Sequence, residues 1–112
     1  MSISQEALFK IALNLEDPWY ISRIEFSTEG KQLDIHVDFK SGSKFSCAKC
    51  GKPNCSVHDT IERTWRHLNF FQFKTYIHCR VPRTECGDCG VKQINVPWAR
   101  KSSGFTLLMD AL

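Results

Sequence analysis

The stretch FSCAKCGKPNCSVHDT, residues 45–60, holds three cysteines and a histidine in polar, turn-forming sequence. Thiols at this density act as a redox couple, as part of a disulfide framework, or as metal ligands. The pattern CAKCG, with Cys47, Cys50 and Gly51, recurs further along as CGDCG, with Cys86, Cys89 and Gly90. Two residues between thiolates let both sulfurs sit about 2.3 Å from one Zn²⁺, and a second such turn completes the tetrahedron. A glycine after the second cysteine accepts a positive φ and leaves backbone amides free to point at sulfur. The predicted ligands are therefore Cys47, Cys50, Cys86 and Cys89, and the predicted cofactor is Zn²⁺.

Other uses of these thiols fit less well. Cys55 and His58 form a C-x-x-H that offers a local Cys47/Cys50/Cys55/His58 site, at the cost of leaving Cys86 and Cys89 idle. A thioredoxin-like couple needs one C-x-x-C opening a helix, and neither turn is followed by a helical period. A disulfide framework belongs to exported proteins. The N-terminus MSISQEALFKIALNLEDPWY has no basic region, long apolar region or small-residue cleavage site of the kind a signal peptide carries. A reducing, cytoplasmic setting is expected. No apolar run approaches the ~20 residues of a membrane helix, so no membrane partner is expected. Cys79, on the apolar face of its strand, is expected to be a buried structural thiol.

The elements that must position these cysteines read as mostly β. SQEALFKIALNL places Ala7, Leu8, Ile11, Ala12 and Leu15 at helical spacing, and Asp17-Pro18 stops the helix. LDIHVDFK alternates, with Leu33, Ile35, Val37 and Phe39 on one face and His36 among the polar residues on the other. YISRIEF before it and SGSKF after it complete a predicted three-stranded meander. FFQFKTYIHCRVPR alternates again, with Phe71, Phe73, Thr75, Ile77, Cys79 and Val81 on the apolar side, and VKQINVPW reads as a closing strand. FTLLMDAL begins a helix that stops after about two turns, too short to stand alone; the chain reads as cut inside a longer protein. The expected class is α+β, mostly β: a small zinc-ribbon-like domain with an N-terminal helix and a β-meander. The expected division is helix plus meander over 1–46, zinc-ribbon lobe over 47–99, and linker plus the start of a helix over 100–112.

Charge is unevenly spread. The formal net charge is +3, but residues 1–40 carry −3 and residues 41–112 carry +6. Four thiolates around Zn²⁺ would bring the total to about +1, so any affinity for a polyanion must come from local patches. RTWRHLNFFQFKTYIHCRVPR interleaves Arg63, Arg66, His67, Lys74, Arg80 and Arg83 with aromatic residues, and Arg100 and Lys101 follow in a segment expected to be a flexible arm. These eight residues are the predicted nucleic-acid contacts, the cations meeting phosphates and arginine also able to read guanine edges. No acid pair, Ser-His-Asp set or glycine-rich phosphate loop is present, so neither catalysis nor a small-molecule substrate is expected.

Taken together, LFKIALNLEDPWYISRIEF, CAKCG, VHDTIERTWRHLNFFQFKTYIHCRVPR, CGDCGVKQINVPWAR and SGFTLL resemble the N-terminal zinc-binding region of bacterial insertion-sequence transposases of the ISL-three family. The resemblance covers essentially the whole chain. It implies a zinc region followed by a helix-turn-helix segment and a DDE catalytic domain of RNase H-like fold, both beyond this chain. It also implies binding of double-stranded DNA at the element's terminal inverted repeats, in a bacterial cytoplasm. The metal-binding role maps onto Cys47, Cys50, Cys86 and Cys89; members of the family carry His at the last of these, which Cys89 replaces with an equivalent ligand. The catalytic residues map onto nothing here. A second reading makes the chain a protein-interaction module that pairs transposase subunits into a homo-oligomer.

Overall fold

The computed structural model describes residues 9–11, 13, 15–101 and 103–110. Six strands form one sheet: β1 (Trp19–Ser27), β2 (Gln32–Phe39), β3 (Lys44–Phe45), β4 (Cys55–Phe70), β5 (Phe73–Cys86) and β6 (Gly90–Gln93). A short helix, α1 (Leu107–Asp110), follows.

β2 forms because its apolar side chains fall at every second position. Leu33, Ile35, Val37 and Phe39 are all buried, while the residues between them are partly exposed. β5 does the same with Thr75, Ile77, Cys79 and Val81. The two lie side by side in parallel, with Leu33 opposite Thr75, Ile35 opposite Ile77 and Val37 opposite Cys79. Their apolar rows thus form one surface. Burying each of the larger aliphatic side chains contributes roughly 1.5–3 kcal/mol.

The sheet order is β1-β2-β5-β4-β3, and this corrects the expected meander. β1 and β2 form the anticipated antiparallel hairpin. β3, however, pairs with the start of β4, Phe45 opposite Cys55, instead of with β2. SGSKF offers only Phe45 for burial, whereas β5 offers four successive inward residues, so β5 takes the place beside β2. The sheet therefore runs unbroken across residue 46.

β4 and β5 form the long antiparallel ribbon at the centre. On its other side β5 is flanked twice: by β2 along Lys74–Cys79 and by β6 along Arg83–Cys86. The closing strand is shorter than expected. It ends at Gln93, and Ile94 and Trp98 reach the core from irregular backbone.

Three tryptophans fill the inner face. Trp98 stands edge-on to both Trp19, at 5.0 Å, and Trp65, at 5.4 Å, geometries favoured by aromatic quadrupoles. Phe9, Leu13 and Leu15 cover the neighbouring part of the core. Here the expected helical stripe needs correction: Ile11 is 71% exposed, and Phe9 and Leu13, four residues apart, turn inward instead. Of the predicted N-terminal helix, Phe9–Ile11 is helical; Ala7, Leu8 and Ala12 lie outside the described residues. At the other end Thr106 Oγ1 accepts the Met109 N–H, 3.4 Å away, and so caps α1. Phe105, expected on the helix, instead bridges to Arg66 and is half exposed.

Candidate metal centre and nucleic-acid interface

Cys47 and Cys50 lie in the turn between β3 and β4; Cys86 is the last residue of β5, and Cys89 lies in the turn from there to β6. Pairing of β4 with β5 and of β3 with β4 brings the two turns together although they are distant in sequence. The four sulfurs lie within 4.8 Å of one another, and Cys50 Sγ is 3.7 Å from Cys86 Sγ. Sulfurs 2.3 Å from a central ion in a tetrahedron are about 3.8 Å apart. The arrangement fits Zn²⁺ and supplies the all-sulfur donor set of a closed structural site.

The two turns are built alike. Gly51 has φ +78° and Gly90 has φ +79°, which spares an L side chain the left-handed region. In the first turn the Cys47 carbonyl accepts the Gly51 N–H at 2.9 Å. The Cys50 and Lys49 N–H groups point at the Cys47 sulfur and bring its pKa down to about 6. In the second turn the Asp88 and Cys89 N–H groups act on Cys86 in the same direction. Backbone amides thereby favour the thiolate form at the first cysteine of each turn. Cys89 is pushed up to about 12, first by its hydrogen bond with Cys50 and then by burial.

Cys55 is buried against Cys47 and Cys86, and its sulfur is 3.4 Å from the Lys52 carbonyl, with burial pushing its thiol up. It packs beneath the sulfur cluster as a neutral wall. His58 is exposed on β4 and faces Glu85 at 3.8 Å. The alternative Cys47/Cys50/Cys55/His58 set is not assembled. Cys79 is buried in the main core, where desolvation pushes its thiol up to about 12.

Residues 43–93 match the family model described as the zinc-finger of transposase IS204/IS1001/IS1096/IS1165. This segment is a zinc ribbon of the ISL-three transposase type. The transposase zinc ribbon is set within a longer similarity. Over 109 residues, 92% of this chain, it is 28% identical to "Transposase for insertion sequence element IS1557" of Mycobacterium tuberculosis, strain CDC 1551 / Oshkosh. The same figures hold for the transposase of that name in strain ATCC 25618 / H37Rv. The chain spans 24% of the length of these relatives. No solved structure matches it. Among the described residues no helix is long and apolar enough to cross a membrane.

The eight predicted nucleic-acid contacts, six of them within residues 43–93, do not form one patch. Lys74, Arg80 and Arg66 lie on the outer face, where they alternate with acids from neighbouring strands. Arg80 Nε donates to Asp38 at 2.9 Å and its guanidinium lies over Phe39, while Arg66 lies over Tyr76 and donates to Thr75 O and Asn69 Oδ1. On the same face His36 stacks on His78 at 4.9 Å, each ring bound to a carboxylate, Glu25 and Asp34 respectively. Arg83 forms a two-pronged ion pair with Asp59 across β4 and β5, which holds that carboxyl below its usual range. His67 is 4% exposed and bonded to Thr106, so burial takes it out of reach of any macromolecule.

Arg63, Arg100 and Lys101 form a separate group around one cavity on the inner side of the sheet. The expected flexible arm is a folded turn: Ser103 N–H donates to Arg100 O, and Ala99 and Thr106 bridge back across it. Sequence alternation could have separated Arg63 from Arg66, because Arg63 shares parity with buried Trp65. The acidic partners carry no such signal, since they come from β2 and from across the ribbon.

Proposed function

We propose that this chain is the DNA-binding part of an insertion-sequence transposase and contributes to recognition of the element's terminal inverted repeats. Cys47, Cys50, Cys86 and Cys89 hold Zn²⁺, whose bound form supplies a rigid cross-link between the β3–β4 and β5–β6 turns. With those ends fixed, the β4–β5 ribbon presents Arg66, Lys74 and Arg80 on its outer face, while Arg63 on the inner side joins Arg100 and Lys101 of the turn after β6. Cleavage and strand transfer belong in this reading to the part of the relatives' length that this chain does not span. In this reading residues 1–46 support the ribbon lobe of 47–99.

The observation that carries the proposal is the sulfur cluster at the end of a ribbon rich in cations, within a segment matched by a transposase zinc-finger family. Retention of terminal-repeat duplex by the zinc-loaded protein in a gel shift tests it. Affinity is expected to fall steeply with salt, by about 0.9 log unit per phosphate contact per log unit of salt.

One feature favours subunit pairing instead. β1 is an edge strand, and Phe26 and Phe71 are exposed close to one end of the sheet. A stable dimer that retains no duplex at low salt would select that reading.

A further inference from the structure

β4 and the segment after β6 enclose a cavity of about 180 Å³, lined by Arg63, Gln93, Asn95, Arg100 and Lys101 with Trp65 in its wall. Three cationic side chains reach it from two segments, and among the described residues no carboxylate lines it.

The Arg63 side chain and the backbone of the turn carrying Arg100 and Lys101 are held in place. The Arg63 guanidinium sits 5.0 Å from the Trp65 ring centre and donates to the Ser103 carbonyl at 3.4 Å. The turn carrying Arg100 and Lys101 is closed by the Ser103 to Arg100 hydrogen bond. It is tied to β4 by Arg66 N–H donating to Gly104 O and Thr106 N–H donating to Arg66 O. Little conformational freedom remains to be lost when an anion enters, which is how preorganisation raises affinity. Gln93 and Asn95 add amide N–H donors at the rim.

Size narrows the ligand. The cavity has room for a few water-sized groups at roughly 30 Å³ each, well below the ~300–1,000 Å³ of sites for drug-sized molecules. A phosphate with its ester oxygens suits both volume and charge; a nucleotide does not.

We infer that this cavity receives one phosphodiester group of the bound DNA strand, clamped between Arg63 of β4 and Arg100 and Lys101 of the following turn. The inference rests on the DNA-binding reading and deepens it. Arginine presents a flat pair of donors to phosphate oxygens and lysine a point charge. Such a contact fixes the register of protein on duplex without reading sequence.

The test uses the zinc-loaded chain, labelled with ¹⁵N and titrated separately with inorganic phosphate and with a terminal-repeat duplex. Both are expected to move the side-chain amide signals of Gln93 and Asn95. Lys101→Gln, at an exposed position, is expected to lower the salt slope of duplex binding by about 0.9, or about eightfold in affinity at 0.1 M salt. Arg63→Gln should act likewise while zinc stays bound. If duplex binds with those amides unmoved and the slope of Lys101→Gln unchanged, the cavity assignment falls and the DNA reading stands. If no duplex is retained while phosphate still shifts the amides in an Arg63-dependent way, the strand assignment is overturned and a free-anion site is left. If neither ligand acts, both fall.

Discussion

His67 Nδ1 lies 2.6 Å from Thr106 Oγ1, and this buried pair ties β4 to the first turn of α1. The Thr106 oxygen already accepts the Met109 N–H, so its own proton is available to His67. That assignment makes Nδ1 the acceptor and leaves the imidazole neutral.

Burial, with a smaller contribution from Arg66, holds the His67 pKa below its ordinary 6.5. The unfolded chain therefore takes up a proton before the folded one does. Stability is expected to be complete above about pH 7 and to decline as pH falls through 6.5, by at most ~1.4 kcal/mol per pH unit. Urea unfolding of wild type and His67→Gln across pH 5–8 checks this. Wild type should lose its stability advantage over His67→Gln on acidification, and salt-dependent duplex binding should be the same for both at pH 8.

The sulfur cluster separates ligands from neighbours. Cys86→Ser is expected to lose tight zinc binding, whereas Cys55→Ser, altering a buried wall beside the site, should still carry one Zn²⁺ per chain in native mass spectrometry. One ion retained in both variants would overturn the assignment of Cys86.

Ile77 is fully buried, opposite Ile35 on β2 and Trp65 on β4. Ile77→Ala is expected to cost about 3 kcal/mol, within the range for buried aliphatic truncation. Because β2 and β5 share one apolar surface, tryptophan fluorescence and far-UV circular dichroism should report a single coincident unfolding transition. Two transitions would show that residues 1–46 unfold separately.

Thiol chemistry offers a further check. In the native zinc-loaded protein Cys79 should resist alkylation at pH 7, since it is 2% exposed and its thiol is pushed up to about 12. After chelation the turn cysteines are expected to react first, with Cys47 among them because its amide neighbours bring it to about 6. Peptide mapping by mass spectrometry after brief iodoacetamide exposure gives the order.

The cysteine turns were legible because their chemistry is local: spacing and a following glycine suffice to name Cys47, Cys50, Cys86 and Cys89 as a set. Strand faces were legible for the same reason, since Leu33, Ile35, Val37 and Phe39 declare their side by alternation. Partnership was not. Parallel pairing of β2 with β5 joins residues about 40 apart in the chain, Ile35 with Ile77 for example, and no local pattern records it. Arg80 and Arg83 pooled with the other basic side chains into one patch on paper because their cross-strand acids, Asp38 and Asp59, are set by register. His67 illustrates the loss: the residue it bonds to in the core, Thr106, lies 39 positions away.

β5 ends at Cys86, one of the four clustered sulfurs, and along its length it borders β2, β4 and β6. Metal loss at that terminus would therefore first free the end of the strand that the ladders with β2, β4 and β6 share. The order of release should follow the ladder, with amides of Glu85 and Thr84 exchanging with solvent before those of Ile77 and Thr75.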